Sequence, residues 1–113
     1  MRRRRRFALA QSPTEVAVDL LLQLGVEERL QLFQLLIKDF YTIKDTTSFD
    51  KMIYNKIFDE YFTDDEEMLN VIFDEYDEPT NFGQTIAREL YEFMTAMLQD
   101  LLMYDRKELI SRL

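Results

Sequence analysis

The stretch NKIFDEYFTDDEEMLNVIFDEYDEP, residues 55–79, carries the pattern N-x-I-F-D-E-Y twice, at a spacing of fifteen residues. On a helix, Ile57, Phe58 and Tyr61 share one side, as do Ile72, Phe73 and Tyr76, so that Asp59, Glu60, Asp74 and Glu75 face away. The repetition therefore predicts two helices built to one recipe rather than a duplicated catalytic motif. Thr63 with Glu66 has the spacing of a capping box that would start the second helix, and Pro79 would stop it. The expected elements are helices over 48–62 and 63–77, the second burying Met68, Leu69, Ile72, Phe73 and Tyr76.

Working outward, "SPTE" at 12–15 combines a Ser12 cap, Pro13 at the first helical position and Glu15 reaching back to the cap amide. It predicts a helix over 12–24 that stops at Gly25. A second helix is expected over 26–41, with Val26, Leu30, Phe33, Ile37 and Phe40 on one stripe and Leu32, Leu35 and Leu36 widening it. Apolar positions on more than one side suit a central helix or one at an interface. The polar, β-branched segment after it reads as a loop that ends with Thr47 or Ser48 as the next cap.

Beyond the turn signals of "EPTNFGQ", Ala87, Leu90, Met94, Met97, Leu101 and Tyr104 follow a 3-4-3-4-3 spacing that predicts the longest helix, over 84–105. The tail "RKELISRL" either extends it or forms a last short helix. Such a spacing suits the core helix of a bundle. It also suits a dimer or partner seam made of Leu90, Met94, Met97, Leu101 and Tyr104. Phe93, Met94, Met97, Met103 and Tyr104 together would make an adaptable groove.

Two Gly and two Pro among 113 residues leave few turns for hairpins, and 47% hydrophobic residues with 13% aromatics are enough for a core. The fold class expected is all-α: a compact bundle of about five helices forming a single domain over 12–113, preceded by a disordered basic arm over 1–11. No wholly apolar run exceeds four residues, far short of the ~20 needed to span a bilayer. Phe7 to Ala10 is too short for the core of a secretory signal. The chain has neither Cys nor His, which removes disulfides, thiolate ligands and the commonest general base. A cytoplasmic location is expected, or a nuclear one in a eukaryote given the Arg run.

Charge is distributed unevenly. The net charge is -8, yet residues 45–78 hold twelve acids against Lys51 and Lys56, which is -10, while Arg2, Arg3, Arg4, Arg5 and Arg6 contribute +5. Crowded carboxylates raise the question of Ca²⁺, but "DEYFTDDEEMLN" has Asp64 where an EF-hand loop needs Gly, and Tyr61 at one of its alternating ligand positions. No nucleophile with an adjacent base and no glycine-rich phosphate loop is present, so no enzyme, cofactor or metal is expected.

Helices 48–62 and 63–77 would each end in acids, against the helix macrodipole, at about 0.3–1 kcal/mol per group. This singles out Asp59, Glu60, Asp64, Asp65, Asp74, Glu75, Asp77 and Glu78 as an acidic face for a basic protein partner. The expected function is a non-enzymatic interaction module, a small acidic adaptor or regulator that self-associates as a homodimer. One alternative is a nucleic-acid mimic that blocks a DNA- or RNA-binding protein, of the phage or mobile-element type. Another is a nucleic-acid-associated protein anchored by its Arg arm, the one segment able to meet phosphates.

Overall fold

The computed structural model describes the backbone over 11–40 and 48–111 and the side chains over 11–39 and 48–103. The Arg run and the segment 41–47 lie outside the described residues. Five helices follow in order: α1 (Pro13–Gln23), α2 (Val26–Phe40), α3 (48–61), α4 (Glu66–Ile72) and α5 (Asn81–Ser111). The all-helical class and the number of helices agree with the sequence.

Helix α1 starts as the capping box requires. Ser12 Oγ accepts from the Glu15 amide at 3.2 Å, and the Ser12 amide donates back to Glu15 Oε1 at 3.0 Å. Gln11, placed by the sequence in the basic arm, instead donates through Nε2 to Asp19 Oδ2 at 3.3 Å. The start of α3 is held from outside: the amides of Ser48 and Phe49 donate to Asp39 of α2 at 3.2 and 3.0 Å. A negative group at a helix N-terminus satisfies free amides and suits the dipole.

Helix α5 is the spine. Helices α1, α2, α3 and α4 all pack against it, and α2 also lies along α3. Leu20, Leu32, Leu36, Phe49, Ile53, Ile57, Phe58, Phe62, Met68, Ile72, Ile86, Leu90 and Met94 are fully buried in one core. Each such side chain removed from water stabilises the fold by about 1.5–3 kcal/mol. At 31 residues, α5 is longer than the 84–105 expected and takes in most of the tail. On α2 the core face consists of Leu32 and Leu36, with Leu35 half-buried, whereas Val26, Leu30 and Ile37 are exposed.

Helix α3 widens in its middle turn, Ile53–Ile57, where the Phe58 amide donates to the Ile53 carbonyl, five residues back. This π-turn was not expected. It inserts one residue into the normal repeat, and Ile53 and Ile57 at its two ends are both buried.

The second half of the repeated stretch corrects the sequence reading. The expected helix 63–77 is only seven residues long, Glu66–Ile72, and Phe73 is extended, with φ -117° and ψ 145°. Thr63 is not its cap: the Thr63 hydroxyl donates to the Asp59 carbonyl, and Asp65 caps α4 by accepting from the Met68 amide at 3.1 Å. The physical reason for the early stop is Thr80. Its amide donates to the Ile72 carbonyl at 2.8 Å, and its hydroxyl lies 2.6 and 2.9 Å from the Val71 and Ile72 carbonyls, which are left open at a helix end. The same hydroxyl accepts from the Gly83 amide at 3.2 Å and so begins α5.

Between the two helices, residues 74–78 make a tight reversal. The Asp74 amide donates to the Glu78 carbonyl at 2.9 Å, the Asp77 amide donates to the Asp74 carbonyl at 3.1 Å, and Asp77 has φ 59°. This is a three-residue loop closed by a left-handed residue, a role that Asp tolerates better than most. Asp74 Oδ1 accepts from the amides of Tyr76 and Glu78 at 2.8 and 3.0 Å. Tyr76, expected in the core, is 78% exposed.

Candidate functional site

The two copies of the motif thus share letters but not conformation. Residues 55–61 are helical, while 70–76 leave their helix after Ile72. They meet at their phenylalanines: the rings of Phe58 and Phe73 pack edge to face, with centroids 6.0 Å apart and planes at 74°. Ile57 and Ile72 are both buried.

This contact sets the 74–78 turn beside the π-turn of α3. Between them is a cleft of about 350 Å³ lined by Tyr54, Asn55, Asp59, Phe73 and Asp77. Tyr54 and Asn55 come from the π-turn, Asp59 from the first motif, Phe73 from the second, and Asp77 from just beyond it. A second cleft, of about 300 Å³, is lined by Asp50, Tyr54, Gln84, Arg88 and Tyr91. Tyr54 belongs to both, so the two hollows adjoin along α3. Burial first, and then the nearby charge of Asp50, push the Tyr54 phenol up to about 12, so it remains a neutral hydrogen-bonding group at physiological pH. The arrangement offers carboxylates, an amide and aromatic rings. Such a set accepts hydrogen bonds from a cationic group.

The remaining acids of the expected face are distributed differently from the sequence reading. Asp59, Asp64, Asp74, Glu75, Asp77 and Glu78 are exposed. Asp74, Glu75, Asp77 and Glu78 stand in a turn and not at a helix end, so the macrodipole penalty inferred for them does not arise. Asp65 is only 4% exposed and acts as the α4 cap, which removes it from any open face.

Glu60 points elsewhere. Its carboxyl is held above its usual range, first by hydrogen bonding toward Glu28 of α2 and then by burial and the Glu28 charge. Burial raises the Glu28 carboxyl, but hydrogen bonds from Tyr61, Glu60 and the Gly25 amide, with the Lys56 charge, bring it below its usual range. The Tyr61 hydroxyl donates to Glu28 and lies 3.3 Å from the Gln23 carbonyl. Burial and then that bond push Tyr61 up to about 12. This cluster ties α3 to the α1–α2 connection.

The expected seam on the long helix is divided. Leu90 and Met94 are buried in the protein's own core and cannot meet a second copy; Met97 is half-buried, and Leu101 is exposed. The Tyr104 side chain and Arg2 to Arg6 lie outside the described residues. Sequence reasoning missed Asp50, Tyr54, Asn55, Gln84, Arg88 and Tyr91. Of these, Asn55 is the first letter of the repeated motif, Asp50 is one of the twelve acids of 45–78, and Tyr54 is an aromatic residue one turn before Phe58.

Among the described residues, no three Asp or Glu converge as a metal-binding group, and no helix is long and apolar enough to cross a membrane. The chain matches no protein-family model, no curated protein and no solved structure at a significant level. Its function is therefore read from its own geometry.

Proposed function

We propose that this protein is a non-catalytic interaction module that receives a basic segment of another protein in the groove along α3. The observation that carries the reading is the cleft in which Asp59 and Asp77, from the regions of the two motif copies, stand with Tyr54, Asn55 and Phe73. A Lys or Arg side chain fits this chemistry: its head meets carboxylates while its aliphatic stem lies on aromatic rings. The surrounding -10 over residues 45–78 would draw a basic partner in and favour fast association. Self-association as a homodimer belongs to the same reading.

The test is a titration of the ¹⁵N-labelled protein with a short Lys/Arg-rich peptide, followed by amide chemical shifts. The expected result is saturable shifts concentrated at residues 54, 55, 59, 73 and 77, weakened by salt. Shifts spread over all acidic residues without saturation would reduce the effect to unspecific charge attraction and overturn the reading. A nucleic-acid mimic is the second reading, supported by the same excess of acids; it predicts competition by duplex DNA for a basic DNA-binding protein that this protein captures.

A further inference from the structure

Helix α2 presents an apolar row to solvent. Val26 is 72% exposed, Leu30 56% and Ile37 47%, with Phe33 half-buried between them. The spacing 26-30-33-37 is 4-3-4, which keeps the row on one side for the whole helix. Beside it runs a polar row at the same spacing, Glu27, Gln31, Gln34 and Lys38, all exposed. Read in either direction, the apolar row has the same form. The polar row is acid, amide, amide, base.

From this juxtaposition we infer that α2 is a homodimer surface on which a second copy of the chain packs its own α2 antiparallel, about a two-fold axis near residues 31 and 32. An isologous contact must suit itself. In the antiparallel arrangement Val26 meets Ile37 of the other copy and Leu30 meets Phe33, while the polar rows fall on the same flank, where Glu27 stands between Gln34 and Lys38 of the other copy. Parallel packing would instead place the two polar rows on opposite flanks of the dimer, where Glu27 of one copy cannot reach Lys38 of the other. The charge of the surroundings favours the same occupant. Residues 26–40 hold Glu27, Glu28 and Asp39 against Arg29 and Lys38, a sum of -1, whereas residues 45–78 sum to -10. Helix α2 is thus a surface where two acidic molecules can approach without strong repulsion.

A single 15-residue helix pair buries less than the ~1,200 Å² at the lower edge of stable interfaces, so the dimer is a weak one. It also leaves the α3 groove free, and a dimer would present two grooves together.

The chain has no Cys, so introduced cysteines report cleanly. Sedimentation equilibrium of the full chain from 10 µM to 1 mM is expected to show a monomer–dimer equilibrium that Leu30→Glu weakens at least tenfold, with circular dichroism unchanged. Under oxidation at high concentration, a mixture of Val26→Cys and Ile37→Cys proteins should form the mixed disulfide dimer, while neither alone should do so efficiently. A monomer throughout the range would overturn the proposal. So would cross-linking of either variant with itself, which would mean parallel packing, or a monomer whose Leu30→Glu-sensitive property is binding to phosphatidylcholine vesicles.

Discussion

At the residue scale, the same side chain type does opposite work depending on what faces it. Asp59 and Asp77 open onto a cleft, Asp65 is spent inside the fold as a cap, and the Glu60 carboxyl is coupled to that of Glu28. The Glu60 carboxyl, with its folded value raised, holds its proton more tightly in the folded state. Its contribution is fully present below the unfolded value and is lost as pH rises through the folded one. Glu28, with its value lowered, acts in reverse: its contribution is lost as pH falls. Glu60→Gln keeps a donor for Glu28 at every pH and removes the repulsion between the two carboxylates. Thermal unfolding should show the variant melting above the natural protein at pH 7, and the difference should shrink as pH is lowered toward 4. An unchanged melting temperature at pH 7 would argue against the carboxyl pair.

At the scale of elements, a repeated sequence does not specify a repeated structure. Both motif copies have helical periodicity, and 55–61 follows it because α3 lies between α2 and α5 with Ile57 and Phe58 fully buried. The second copy has the same local preference, but α4 is seven residues long and its end is tied to the start of α5. Tertiary contacts override a short helix's propensity. The helices of 12–24, 26–41 and 48–62 were legible because their caps and periodicity agree. The early stop at Ile72 was not, because it depends on Thr80, which in the sequence is one more turn residue.

Gly83 belongs to the same joint. A Cβ there would lie 2.6 Å from the Ile72 carbonyl oxygen, which is backbone and cannot swing aside. An Ala in a helix ordinarily gains about 1 kcal/mol over Gly. Here overpacking, at about 1–3 kcal/mol, should outweigh that gain. Gly83→Ala is expected to lower stability by about 1 kcal/mol in urea unfolding, where the usual helical substitution would raise it.

At the scale of the molecule, the acidic character was legible from composition, but the groove was not. Asp50, Tyr54 and Asp59 are spread over one helix, Asp77 sits in a turn, and Gln84, Arg88 and Tyr91 belong to another helix. No linear pattern joins them. The π-turn, the Phe58–Phe73 contact and the packing of Phe49 on Tyr91 bring them together, and none of these has a signature in a single sequence. Likewise, the α2 stripe was visible as an excess of apolar positions, while the division between its buried and exposed rows emerged only from the packing.

On the proposed function, Asp59 and Asp77 act jointly on a cationic segment. Calorimetric titration with a Lys/Arg-rich peptide, comparing the natural protein with Asp59→Lys/Asp77→Asn, tests it most directly. Asn keeps the left-handed turn position that residue 77 occupies, so the fold should be retained. The prediction is at least a tenfold loss of affinity in the variant, with Asp64→Lys/Glu67→Gln, a control of the same charge change outside the cleft, losing no more than about threefold. Equal losses in the two variants would contradict the account.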